Sequence, residues 1–117
     1  MQRGMQEASV LRLEVKREQR FVIHAKGALS KEFAAEIADA MDITEGNAEE
    51  VGLFIDMEEV RSFDYHGILK LADIIKEREG RFREMRIFGL ERNIYHVLRG
   101  LGLYQAELHP MKSATHM

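Results

Sequence analysis

VGLFIDMEEVRSFDYHGIL, Val51 to Leu69, decides the reading of this chain. Val51–Asp56 is an unbroken apolar run of strand length, the composition of a strand covered on both faces. The stretch that follows is polar and reads as a loop. Ile68, Leu71, Ala72 and Ile75 then recur at i, i+3, i+4 and i+7, which marks an amphipathic helix. A buried strand feeding a helix through a short loop is half of a parallel βαβ unit.

The same pattern extends in both directions. Upstream, Leu11, Leu13 and Val15 alternate with Arg12, Glu14 and Lys16, as in a half-exposed strand. FVIHA (Phe21–Ala25) is a second strand, close enough for an antiparallel hairpin. Gly27 breaks the pattern, and Ser30 can cap a helix whose stripe is Phe33, Ile37 and Met41 and which should end near Gly46. Downstream, MRIF (Met85–Phe88) is a strand stopped by Gly89. Asn93 can cap a third helix carrying Ile94, Val97, Leu98 and Leu101, and YQAEL (Tyr104–Leu108) alternates like a last strand. The order β-β-α-β-α-β-α-β predicts an α/β class with a mostly parallel sheet.

Composition bounds the function. The 117 residues suit one domain, and Lys+Arg 17 against Asp+Glu 20 gives a net charge of −3. That balance, with no basic cluster, argues against nucleic acid as a partner. The absence of cysteine removes disulfides, thiolate nucleophiles and Cys-based metal sites, and fits a cytoplasmic protein. No apolar run is long enough to insert in a membrane. Residues 1–8 and 110–117 are polar and unpatterned, so flexible tails are expected around a domain at 9–109.

No dinucleotide, P-loop, HExxH or GxSxG signature occurs, so neither cofactor nor catalytic set is expected. The five histidines are scattered, and no metal site is expected from them. His24 reads as a strand residue opposite Phe21, Ile23 and Ala25. Asp56 follows a buried strand, where it caps a loop; as a receiver-type phosphoacceptor it lacks the acid pair such domains need after their first strand. The candidate site is FDYHGIL (Phe63–Leu69). There Asp64 can cap the second helix, Gly67 permits close backbone approach, and Tyr65 and His66 stand at the positive end of the helix.

Over about Val10 to Leu108 the chain resembles the STAS family, the sulfate transporter and anti-sigma factor antagonist domain. FVIHAKGALS is similar to the family's strand-Gly-x-Leu, and GLFIDMEEVRSFDYHGIL to its strand, Asp, loop and Asp-Ser-Ser-Gly-Leu. MRIFGLERNIYHVLRGLGL is similar to its strand, loop, helix and Gly-Leu ending. The resemblance implies a mixed sheet with helices on one face. In the anti-sigma antagonist branch the second Ser of the motif takes a phosphate from a kinase that is itself the anti-sigma factor, and the added charge breaks the interface. Asp64 and Gly67 match that motif here. Tyr65 replaces the first Ser, His66 stands at the phosphoacceptor position, and Ser30 occupies the place of the acid that commonly follows Gly-x-Leu (Gly27, Leu29). Ser62 is a nearby hydroxyl placed before the helix.

The resemblance therefore implies a non-catalytic protein-binding module acting by partner switching, without the usual phosphorylatable Ser. Its expected partners are an anti-sigma factor or serine-kinase-like ATPase, or another STAS protein. Two other readings are a STAS subunit of an ABC-type lipid-transport complex and a phosphotransfer protein using His66 with Asp64. A homodimer through helix faces is compatible with the pattern. The charged edge presented by Arg12, Glu14 and Lys16 argues against strand addition there.

Overall fold

The computed structural model describes residues 9–16, 20–44, 52–103 and 105–112. Within them, β1 (Val10–Lys16), β2 (Arg20–Leu29), β3 (Gly52–Phe63), β4 (Glu84–Leu90) and β5 (Glu107–Pro110) form one sheet in sequence order. β1 runs antiparallel to β2, with Leu13 opposite Ile23; the other three pairings are parallel. Each parallel step is bridged by a helix: α1 (Lys31–Ile43), α2 (Tyr65–Arg78) and α3 (Arg92–Gly100). Successive right-handed crossovers along a sheet built in sequence order place all three helices on one face.

The alternation of the strands explains which face that is. Ile23 and Ala25 of β2, Leu53, Ile55 and Met57 of β3, and Met85 and Ile87 of β4 point at the helices and are buried. The helical stripes meet them with Phe33, Ile37 and Met41, then Ile68, Leu71 and Ile75, then Ile94 and Leu98. Each such side chain, fully removed from water, contributes about 1.5–3 kcal/mol of transfer free energy. The intervening strand residues, among them His24, Phe54, Asp56, Arg86 and Phe88, are half-buried on a face that no described helix covers.

The expected fold is present, with local differences, among them that β4 runs on through Gly89 (φ 69°) to Leu90 instead of stopping at the glycine. β3 does not stop at Asp56 but continues to Phe63, because its polar second half still pairs with β2 after β4 has dropped away at Phe88. β2 passes through Gly27 instead of ending there: Gly27 adopts φ 112° beside shifts in register, so the glycine marks a bulge. α1 ends at Ile43 with Thr44 as its cap, before Gly46, which lies outside the described residues, as do Val51, Tyr104 and the ends 1–8 and 113–117. The last strand is Glu107–Pro110, set two to three residues later than the alternation suggested, and α3 is capped by Glu91 rather than Asn93. Glu91 wins because its carboxylate accepts from the amides of both Asn93 and Ile94, at 2.7 and 3.1 Å.

Candidate functional site

α2 begins where the sequence places its cap. Asp64 has extended backbone (φ −115°, ψ 164°), and its carboxylate accepts from the Gly67 amide at 2.7 Å. α1 begins in the same way one strand over: Ser30 accepts from the Phe33 amide at 3.0 Å. The two helix starts are tied together, since the Asp64 amide donates to the Leu29 carbonyl at 3.1 Å. Gly67 is packed so tightly that a Cβ there would sit 2.3 Å from the Leu29 carbonyl oxygen and 2.8 Å from its carbon. Glycine is required by that approach, and not by backbone conformation.

The two groups of residues singled out from the sequence therefore meet. Leu29 and Ser30 form the floor under the turn Asp64–Gly67, and Tyr65 and His66 project from it. Tyr65 is 60% exposed, one of four large hydrophobic side chains so presented among the described residues, and His66 and Asp64 are exposed as well. Ser62 is exposed but belongs to β3, paired opposite Ala28, two residues before the cap and outside the turn. Gly27 lies further back, buried in the bulge and opposite Val60. The arrangement presents an aromatic ring and an imidazole at the positive end of a helix, on backbone held from below.

The open sheet face holds a feature that the sequence does not announce. His24 lies between two carboxylates from neighbouring strands: Nε2 is 2.8 Å from Glu14 Oε1, and Nδ1 is 3.0 Å from Asp56 Oδ2. Both partners are acceptors when ionised, so the doubly protonated ring satisfies both. The His24 hydrogen bond is the main cause that holds the Glu14 carboxyl below the usual carboxylate range, against the opposing push of desolvation and with help from Lys16. Asp56 also accepts from the Glu58 amide at 3.0 Å, so it caps locally as expected, but from within β3 rather than from a loop. Alternation puts Glu14, His24 and Asp56 on one face, yet nothing in it says that three strands bring them into one line.

Beside this row, Phe54 and Phe88 meet edge to face at 5.4 Å, His109 stacks on Phe88, and the Arg20 guanidinium sits 5.1 Å from the Phe54 centroid. A surface hollow of ≈ 690 Å³ is lined by Glu58, Glu59, Arg61, Phe88 and His109 among others. None of the α2 turn residues borders it, and its charges are mixed. Glu79 was not foreseen either: buried at 5% exposure, it accepts the amides of Gln105 and Ala106 at 2.7 Å each and so anchors the approach to β5. Among the described residues no cluster of three His, Cys, Asp or Glu is placed to hold a metal, and no helix is long and apolar enough to cross a membrane.

Known proteins share this architecture. The family model of the STAS domain matches residues 12–116. No curated protein matches the chain. Among solved structures, an uncharacterized DUF3478-family protein with a SpoIIAA-like fold from Shewanella loihica PV-4 is similar with a TM-score of 0.63 at 13% identity, over 92% of this chain and 90% of that one. The anti-sigma factor antagonist SpoIIAA in its unphosphorylated form is similar with a TM-score of 0.62 at 14% identity, over 91% of this chain and 90% of that one. At such identities these likenesses establish the fold alone.

Proposed function

The chain belongs to the STAS domain family, and from that premise we propose that it is a non-catalytic protein-binding module, an anti-sigma-factor-antagonist-like regulator that works by partner switching in the cytoplasm. The observation that carries this reading is the turn Asp64–Gly67 pinned on Leu29, with Tyr65 and His66 exposed above it. A rigid turn loses little conformational freedom on binding, and an exposed Tyr is a frequent anchor of protein interfaces. The helix dipole adds a preference for a partner carboxylate at the same place.

Because His66 stands where the related branch has its phosphoacceptor, release of the partner here is controlled by something other than a phosphoserine at that position. Use of His66 in phosphotransfer is the weaker reading: the carboxylate nearest in sequence, Asp64, is turned back onto the Gly67 amide. The partner class that fits is an ATPase of the anti-sigma kinase type or a second, sensor-bearing STAS protein.

Affinity purification of the tagged chain from its native cells, with identification of what is retained, tests the proposal. Retention of such an ATPase or STAS protein supports it. Retention of an ABC ATPase with its permease would replace it with the transport-subunit reading.

A further inference from the structure

The edge of the sheet formed by β1 carries an inference that is independent of the α2 turn. Among the described residues β1 pairs only with β2, so one side of a seven-residue strand presents its backbone groups outward. Two of the largest exposed apolar side chains lie on this strand, Val10 at 50% and Val15 at 68% exposure. α1 runs back from the far end of β2, so its last turn, with Ile43 at 73% exposure, returns to the end of the sheet where Val15 stands. An exposed edge with uncovered valines is a surface that lacks a neighbour.

We propose that this neighbour is β1 of a second copy of the chain, paired antiparallel about a two-fold axis through Leu13. The register is dictated by the sequence of the strand. It is the two-fold register in which all seven residues find a partner, and it sets Val10 against Lys16, Leu11 against Val15, Arg12 against Glu14 and Leu13 against itself. On the open face, both copies of the Arg12–Glu14 pair are of opposite sign, and the Lys16 stem lies over Val10. On the helix-side face, Val15 is covered by Leu11, and the two Leu13 side chains meet. Moving the axis by one residue sets Arg12 against Arg12 or Glu14 against Glu14, so the neighbouring registers are opposed by like charges.

The alternating charges that discourage an arbitrary strand are thus complementary to the same strand reversed. Within one copy the Arg12 guanidinium reaches Glu14 only at 3.8 Å, with Arg12 64% and Glu14 36% exposed, which leaves Arg12 able to turn outward. The result is one continuous sheet through two copies, with the α2 turns left accessible on both.

Sedimentation of the full chain over a concentration series tests this. The wild type is expected to pass from monomer to dimer with a midpoint below about 1 mM. Arg12→Glu alone and Glu14→Arg alone should each weaken the dimer at least about tenfold by placing like charges opposite each other. An equimolar mixture of the two variants should restore it. In the mixed dimer one strand carries acids at both positions and the other carries arginines at both, so each of the two facing pairs again joins opposite charges. Val15→Lys, a change at an exposed side chain, should weaken the dimer without altering the fold, and it stands in if Glu14→Arg disturbs the contact to His24. A monomer at every concentration, a dimer indifferent to these changes, or no recovery in the mixture would each overturn the proposal. None of these variants touches Tyr65 or His66, so failure here leaves the partner-binding reading intact.

Discussion

The Asp64 amide donates to the Leu29 carbonyl at 3.1 Å, and through that bond the end of β2 fixes where α2 begins. Two segments more than thirty residues apart in sequence become one turn. Its exposed side chains inherit the rigidity of the sheet beneath them.

Gly67→Ala is expected to be among the most damaging small substitutions in the chain. The added methyl would meet backbone at 2.3 Å, and neither helix can withdraw without breaking its cap. A loss of about 3 kcal/mol or more is expected from such overpacking. Gly100→Ala is the control: a Cβ there meets nothing within 4 Å at the end of α3, so the change should be neutral or stabilising by up to about 1 kcal/mol. Urea unfolding midpoints check this: that of Gly67→Ala should fall well below wild type, and that of Gly100→Ala should lie at or above it.

Asp64→Ala should cost about 1 kcal/mol, the usual worth of an N-cap side chain. Asp64→Asn should cost much less, since its amide oxygen can still accept from the Gly67 amide. Equal losses for the two variants in denaturant unfolding would mean that the carboxylate charge, and not the cap geometry, holds the turn.

How much of this was legible in the sequence follows from the range of each interaction. Ser30 and Asp64 were readable because a cap acts over three residues, and the helix stripes because burial repeats every turn. The length of β3 was hidden, since Glu58, Glu59, Arg61 and Ser62 are polar for a strand, and Val60, the one buried residue among them, falls out of phase with Leu53, Ile55 and Met57 across a shift in register. Gly27 read as a break although a bulge uses the same residue. The meeting of Leu29 with Gly67, and of Glu14 with His24 and Asp56, depends on strand register, which one sequence does not display.

The acid side of the stability curve should report two carboxylates. Glu14 is lowered chiefly by its hydrogen bond from His24, and Asp42 chiefly by its hydrogen bonds from Arg78, whose Nε lies at 2.8 Å and whose own value is raised by the same contact. A carboxyl lowered on folding adds stability above its unfolded value and gives it up as pH falls through the folded one. Stability should therefore decline on acidification from about pH 5 downward, and Glu14→Gln or Asp42→Asn should each flatten part of that decline. Both groups are well exposed, so each effect is small and should shrink further in high salt. A decline equally steep in the double variant would assign it to other groups.

The central claim is that the surface around Tyr65 and His66 binds the protein partner. Its most direct test is a titration of the purified partner, once captured, against wild type and against the Tyr65→Glu/His66→Glu double variant. Both substituted side chains are exposed, so the fold should be unchanged and circular dichroism should show it. At least about a hundredfold loss of affinity is expected, the scale seen when an interface anchor is replaced by charge. Binding of equal strength by the double variant would contradict the claim and place the docking surface elsewhere on the domain.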